Sequence, residues 1–467
     1  MSKTLFDEFD PVSAKAWKQK IQADLKGADY NETLVTSTDE GIDIKPFYHA
    51  DDHDYGLKLP ESPVWYVTEK LYLENVDITI ENAIDVIERG AESLWITIPK
   101  ADDKKLKFFE ALKDDTTPLY VEFLVQDLSF FEKLDTLLKS QNKQVWLGLD
   151  PIHQLASSGN WFNSQKEDLE VFLKTTQFSS FKNEIHIDAR LYQNSGGIII
   201  QQLAYSLAHL NEYLNLLEGA DSKLASVTVN LLMAQGSNYF FEIAKLKALR
   251  LLVDSLASEY GFDIELHIIA EPSKRNLSIY DYNMNMLRTT TESMSAILGG
   301  ANWVNNLAYD EIFNKRNEFG ERISRNQLLI LKQESYFDKV LNPVDGTYYI
   351  ENLTKELAEK ALAIFKNIEA GKGFIHQLFD GKIQKKIKES AEREQSKLNS
   401  EEFSLVGVNK YINPDDRMSA NLELFPFLKQ NQRKTLIEPI LERRLAEPIE
   451  KERLEKEKSN PSSKATE

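Results

Sequence analysis

A chain of 467 residues, 42% hydrophobic and free of cysteine, can build one large domain with additions or two or three smaller ones, with no disulfide, thiol nucleophile or cysteine-held metal. A formal charge of −18, from 56 basic and 74 acidic residues, argues against nucleic acid as the main partner, because phosphate binding needs a basic surface. No run reaches the roughly 18 apolar residues of a membrane span, and MSKTLFDEFDP carries acids where a secretory signal needs a basic then an apolar region, so a cytoplasmic location without membrane attachment is expected.

Residues 1–45 read as an N-terminal arm in which Trp17, Ile21 and Leu25 form one helical stripe closed by Gly27. A surface helix packed on its own domain is one reading, and a segment reaching onto a partner chain is the other. From about residue 63 the pattern alternates apolar strand, polar turn and amphipathic helix. Strands are expected near Val64, Leu94, Leu119, Val145, Ile185, Val227, Ile264 and Trp303, with helices between them such as 80–90, 103–113, 128–140, 196–217 and 238–260. Eight such units predict one closed (β/α)8 TIM barrel over 46–375. An open doubly wound sheet would have fewer strands or split in two, and no glycine-rich phosphate fingerprint follows any strand.

The last unit is the most informative. Met284, Leu287, Met294, Ile297 and Leu298 fall on one stripe of period 3.6, and Gly299-Gly300 ends that helix. Trp303 to Leu307 reads as a buried strand, and a long helix runs from Glu318 to about Val340 before Asn342-Pro343 breaks it. Residues 376–440 predict a C-terminal helical extension, with GKIQKKIKESAEREQSKLNSEEF as a charged helix and VGVNKYINPDD as a loop or short strand. From Leu441 to the end the chain carries seven acidic and seven basic residues, closing on NPSSKATE. A charged helix fraying into a disordered tail is expected over 441–467, with a coiled-coil partner site as the alternative.

Three separated segments, NMLRTTTESMSAILGGA (285–301), ERISRNQLLILKQES (321–335) and NPVDGTYYIENLT (342–354), resemble the methylmalonyl-CoA mutase family. WKQKIQADLKGADY (17–30), EGIDIKPFY (40–48), QQLAYSLAHLNEYL (201–214), FFEIAKLKALRLL (240–252) and VGVNKY (406–411) agree, and the resemblance covers about nine tenths of the chain. It implies a (β/α)8 barrel, an N-terminal extension that reaches onto a partner, and radical chemistry on acyl-CoA supplied by adenosylcobalamin.

The chemistry-bearing words of that family are altered. Its cobalamin histidine pattern, D-x-H-x-x-G, is matched by spacing at Asp51-Asp52-His53-Asp54-Tyr55-Gly56, but before the barrel rather than on an α/β domain. Cobalamin ligation by His53 is therefore not expected, and the cobalamin domain itself is expected to be absent. The R-Q-Y-A-G-F segment of catalytic barrels has no counterpart in VWYVTEKLYLENVDITIENA, whose Tyr66 and Tyr72 read as strand packing. Aligning the family's S-G-Y-H-M-Q-E-A-G-A at Gly196 places Leu191 at its histidine, and a leucine can neither donate a hydrogen bond nor move a proton. The family's R-L-S becomes Thr228-Val229-Asn230, which removes another anion-binding arginine.

The remaining polar residues have modest readings. His186 and His267 lie on strands and read as buried, satisfied histidines, and no H-x-x-x-H spacing suggests a metal. Arg288 and Glu292 are set for a helical ion pair worth about 0.3 kcal/mol, while Arg322 and Arg325 beside Asn326 read as barrel braces. Gln193 and Asn194 at a strand's C-terminal end, with Thr228 and Asn230 on the next strand, are the candidates for a vestigial substrate pocket. The expected function is that of a non-catalytic small chain in a two-chain methylmalonyl-CoA mutase. It would bind no cofactor itself, pair with a catalytic large chain that holds adenosylcobalamin, and keep acyl-CoA as a conceivable ligand. The rivals are an active barrel served by a separate cobalamin-binding chain and a free-standing acyl-CoA-binding or scaffold protein.

Overall fold

Eight parallel strands form the centre of the molecule: β1 (Tyr66–Tyr72), β2 (Ser93–Ile98), β3 (Leu119–Phe123), β4 (Trp146–Gly148), β5 (Ile185–Asp188), β6 (Ser226–Gln235), β7 (Asp263–Pro272) and β8 (Trp303–Asn305). A computed structural model describes residues 8–52, 64–220, 226–261, 263–429 and 433–459; His53 and the rest of its motif to Gly56 lie outside these. The ladders run β4-β3-β2-β1-β8-β7-β6-β5. This is the expected (β/α)8 barrel, and every strand begins within two residues of its predicted start. On β2, Leu94, Ile96 and Ile98 face the outer helices while Trp95 packs inside, so both faces are buried and the strand reads as a nearly continuous apolar run.

The seam between β4 and β5 closes differently from the other seven. A single backbone bridge, Val145 to Phe181, joins them among the described residues. Asn183 supplies the rest. Its Oδ1 accepts from the Leu147 N–H at 2.7 Å, and its Nδ2 donates to the carbonyls of Leu147 at 2.9 Å and Ile185 at 3.0 Å. The side-chain amide thus stands in for a missing peptide group. Asn183→Ala should strand the Leu147 N–H and C=O in the core, at about 2–4 kcal/mol in total. Urea unfolding would read this, and a loss under 1 kcal/mol would show the seam does not depend on Asn183.

Helices cover the barrel: α1 (Val76–Glu88), α2 (Leu106–Ala111), α3 (Leu128–Ser140), α4 (Gln165–Thr175), α5 (Ile199–Gly219), α6 (Tyr239–Tyr260), α7 (Met284–Gly299) and α8 (Glu318–Leu329). Asn75, Asp127, Ser164 and Asn317 start α1, α3, α4 and α8 by accepting a backbone N–H that the helix leaves free. A further helix, Tyr348–Ala370, packs outside α5 and α6, and α5 is consequently buried almost all round.

Two expectations in the last unit are corrected. On α7 only Ile297 of the predicted apolar stripe is buried, and Leu287 stands 61% exposed. The inward face carries Asn285, Thr289, Glu292, Ser293, Ser295 and Ala296. Here α7 approaches α6 so closely that a Cβ on Gly299 would lie 3.1 Å from the Ile243 carbonyl, so small and hydrogen-bonding residues win over large apolar ones. The helix from Glu318 does not continue to Val340. It widens into a π turn over Ile330–Glu334 and stops at Ser335, with Lys332 donating to the Trp65 carbonyl at 2.7 Å.

The chain beyond the barrel folds back over the C-terminal face. Helices Phe374–Phe379 and Lys382–Asn399 are followed by a strap whose Ile440, Arg443 and Leu445 N–H groups donate to the carbonyls of Ala156, Asn194 and Arg275. The expectation of a disordered tail from Leu441 is corrected over 441–459. Helix Glu447–Ser459 is ordered because one side of it is buried: Leu454 packs with Tyr280 and Met418, and Glu450 pairs with Arg444 at 2.6 Å. Residues 460–467 lie outside the described set. At the other end, helix Ala14–Asp24 buries no residue, and among the described residues Trp17 meets the edge of Phe47 in ring contact.

Candidate functional site: the barrel interior and its C-terminal mouth

Ligands of (β/α)8 barrels sit at the C-terminal ends of the strands, so the inward side chains there decide what the chain can do. Below that mouth the interior is filled. Trp95, Tyr120, Trp146, Leu232, Ile269 and Trp303, from six different strands, form one buried cluster. Gly148 makes room for it, since a Cβ there would come within 2.5 Å of Tyr120 Oη. His267 stacks on Trp146 with ring centroids 4.0 Å apart and meets Trp303 edge-on at 5.2 Å.

The polar groups inside this cluster satisfy one another. Asn230 Oδ1 lies 2.8 Å from His267 Nδ1, Asn230 Nδ2 lies 3.1 Å from His186 Nδ1, and His186 Nε2 lies 3.0 Å from Tyr120 Oη. One assignment fits all three: His267 donates to the asparagine oxygen, and the asparagine nitrogen donates to His186. His186, which accepts at Nδ1, is then neutral. Burial supports this, pushing His186 down to about 4 and His267 well below its ordinary value. These two histidines are core residues, as expected.

At the mouth a charged lid covers the aromatic core. Arg190, directly after β5, reaches Asp188 at 2.6 Å, Glu122 at 3.0 Å and Glu271 at 3.1 Å, from β5, β3 and β7. Its guanidinium also lies over the Trp95 ring at 4.7 Å, and Lys70 Nζ over the same ring at 3.9 Å. Glu122 further accepts from Thr97 Oγ1 at 2.6 Å and Trp95 Nε1 at 3.1 Å, and Glu271 from Asn305 at 2.7 Å. Beside them Asp150 accepts from Tyr213 Oη at 2.7 Å and the Asp188 N–H at 2.9 Å, and lies 3.0 Å from His209 Nε2.

Burial pushes all four carboxyls up, and their partners outweigh it. Lys70 and Arg190 hold Glu122 down at about 2, and His209 does the same for Asp150. Arg190 and His153 hold Asp188 well below the usual range, while Lys70 and Arg190 lower Glu271. Four carboxylates meet at the lid, and its one arginine is shared among three of them.

The four sequence candidates are not brought together. Gln193 accepts from Gln202 and borders a polar pocket of about 140 Å³ near Gly196 and Gly236. Asn194 is a staple: its side chain accepts from Ser273 Oγ at 2.8 Å and donates to Glu442 at 3.1 Å. Thr228 sits at the N-terminal end of β6, where its N–H donates to Glu184 at 2.7 Å, and Asn230 lies between the two core histidines. Leu191 is 2% exposed in the apolar core.

Of the lesser readings, Arg325 braces α8 onto β1 through buried Glu69 at 3.0 Å, whereas Arg322 is exposed over Phe319. Arg288 does not pair with Glu292. It donates to Ser278 Oγ and the Val406 carbonyl, while Glu292 turns inward to Asn276. Tyr72 is not packed but 52% exposed on the rim of a polar cleft of about 250 Å³ over β1 and β8. The lid itself was missed in the sequence. An Asp-x-Arg at the end of β5 with single acids at matching depths on β3 and β7 was its available signal.

Among the described residues no helix is long and apolar enough to cross a membrane, and no cluster of three or more His, Asp or Glu could hold a metal ion. Fold and site together define a (β/α)8 barrel whose interior is packed and whose mouth is sealed by its own charges. Residues 139–456 match the family profile described as methylmalonyl-CoA mutase, and the chain belongs to that family. It is 31% identical over 449 residues to a methylmalonyl-CoA mutase small subunit of Porphyromonas gingivalis, covering 88% of this chain and 71% of that protein. Similarity to a methylmalonyl-CoA mutase of Cereibacter sphaeroides is 37% over 235 residues, 49% of this chain and 33% of that one. A mutase large subunit of P. gingivalis is 31% identical over 253 residues, 53% of this chain and 35% of that one.

Proposed function

We propose that the chain is the small, non-catalytic subunit of a two-chain adenosylcobalamin-dependent methylmalonyl-CoA mutase, working in the cytoplasm beside a catalytic large subunit that alone holds the cofactor. The carrying observation is Arg190. A mutase barrel needs a free cation for the substrate carboxylate and an open interior for the thioester arm. Here the mouth arginine is engaged by three carboxylates, and aromatic rings fill the space beneath it. The residues at the mouth therefore do not suit an acyl-CoA or the adenosyl group, and no chemical step is assigned to them. Similarity along most of a small subunit, against half of this chain for a large subunit, supports the same reading. The solvated helix Ala14–Asp24, with exposed Trp17, suits the segment that would lie on the partner.

Purification of the tagged chain from its native cell tests the assignment. The expected companion is a cobalamin-containing mutase chain in one-to-one ratio, and deleting residues 1–34 should weaken that complex at least ten-fold. A well-behaved monomer that ignores the catalytic chain in sedimentation would overturn the reading. Steady turnover by this chain with only a free-standing cobalamin-binding protein would favour the active-barrel alternative instead.

A further inference from the structure

The outer face of α7 differs from that of the other barrel helices. The only charged residues on α7 are Arg288 and Glu292. Arg288 is engaged by Ser278, Asn285 and the Val406 carbonyl, while Glu292 is 1% exposed and turned to Asn276. Helices α1 to α6 and α8 each expose charged side chains, among them Glu81 on α1, Lys166 on α4, Asp254 on α6 and Arg322 on α8. What α7 turns outward instead is Met284, Leu287, Thr291, Met294 and Leu298. Leu287 is 61% exposed, Thr291 is exposed, and the other three are half-buried.

Composition marks this strip as a contact surface. Interface centres are depleted of charge and enriched in methionine, whose unbranched side chain adapts to whatever packs on it. Three of the chain's six methionines, Met284, Met286 and Met294, lie on α7, in a protein of which 28% of the residues are charged.

The spacing of the strip selects its occupant. Steps of three, four, three and four residues make the seam into which a second helix packs. The seam also reads nearly alike in both directions from Thr291, with Leu287 and Met294 on either side of it and Met284 and Leu298 beyond them. A copy of α7 laid antiparallel would set Thr291 against Thr291, small enough for a close crossing. Each Leu287 would then meet the copy's Met294, and each Met284 the copy's Leu298. Such a self-matching patch is what a two-fold contact requires. Charge points to the same place. Two chains of −18 repel each other, and a face without exposed charge lets them meet with no carboxylate to desolvate.

We propose that α7 is a self-association face, through which two copies of this chain pair antiparallel about Thr291. From Met284 to Leu298 the seam runs about 21 Å at about 1.5 Å per residue. That is short of the roughly 800 Å² per partner of a standard interface, so the dimer is weak, with a Kd in the micromolar range. The contact leaves helix Ala14–Asp24 free, and it stands or falls independently of pairing with a catalytic chain.

Sedimentation of the 467-residue chain alone should show a monomer giving way to a dimer between about 1 and 100 μM. Leu287→Glu should raise the dimer Kd ten-fold or more, because it buries a carboxylate against the copy's Met294. Its urea midpoint should match the parent's, since Leu287 is largely exposed. A second variant reads the geometry directly. The chain has no cysteine, so Thr291→Cys supplies a single thiol, and oxidation should join two copies through it. Glu132→Cys, exposed on α3, should give no such dimer. A chain that stays monomeric at about 100 μM overturns the proposal, and so does a dimer indifferent to Leu287→Glu. If Leu287→Glu weakened only the complex with a catalytic chain, the face would belong to that chain, and self-association would be wrong.

Discussion

Arg190→Leu is expected to destabilise the chain by about 3–5 kcal/mol at neutral pH, the scale for removing one partner from a buried ion pair. The leucine approximates the arginine stem but leaves Asp188, Glu122 and Glu271 facing one another around the Trp95 ring. The pH dependence separates this from simple loss of packing. In the parent, these three carboxyls titrate below their unfolded values, Glu122 at about 2. Their contribution is complete above the unfolded range near 4 and is lost only as the pH falls toward about 2. In the variant, burial and the mutual repulsion of the three carboxyls are opposed only by Lys70 at Glu122, His153 and His186 at Asp188, and Lys70 and Lys274 at Glu271, without the guanidinium they share, so the carboxyls should titrate above their unfolded values. Stability should then rise as the pH falls from 7 to about 4.5. Urea midpoints at those two pH values should show the gap between parent and variant narrowing by half or more. A gap that is constant or widens on acidification would show that the guanidinium does not hold these carboxylates charged. Arg190→Lys should fall between the two, because a point charge cannot bridge three acceptors as a planar fork does.

What could be read from the sequence follows from what repeats in it. Strand positions such as Leu94, Leu119, Ile185 and Trp303 were legible because parallel strands buried on both faces give short apolar runs, and the turns and helix caps between them fix the spacing. The barrel followed from the number of such runs. The inward face of α7 was not legible. Periodicity located Met284, Leu287 and Met294 on one side, but which side packs depends on how closely α6 approaches, a tertiary fact. The helix Glu447–Ser459 misled for a related reason. Alternating charges suggest a solvated segment, yet Glu450 finds Arg444 and Leu454 finds Tyr280 only after the strap has folded over the mouth. Leu191 and Thr228 were visible as departures from a resembled pattern. The Arg190 lid that occupies the mouth was not, because its members come from β3, β5 and β7 and have no sequence spacing in common.

No interconversion of methylmalonyl-CoA and succinyl-CoA is expected when the chain alone is given adenosylcobalamin and either substrate. Removing one well-placed transition-state donor typically lowers a rate by about 10²–10³. By the resemblance to the family, Leu191 would stand at the donor to the thioester carbonyl and Thr228 at an anion-binding arginine, while Arg190 is held by three carboxylates. The aromatic cluster adds a steric term that no single substitution removes, since Trp95, Tyr120, Trp146 and Trp303 come from four strands. Leu191→His should therefore restore nothing. It would also place an imidazole in an apolar core, at about 2 kcal/mol or more in stability unless that ring finds partners. In a complex with a catalytic chain the contrast should be sharp. Turnover should survive Thr228→Ala and Leu191→Met in this subunit within about two-fold, whereas mutating the catalytic chain's own barrel should abolish it. A coupled spectrophotometric assay under saturating cofactor would decide. Measurable turnover by the isolated chain, or a ten-fold loss in the complex from either substitution, would show that this barrel takes part in the chemistry after all.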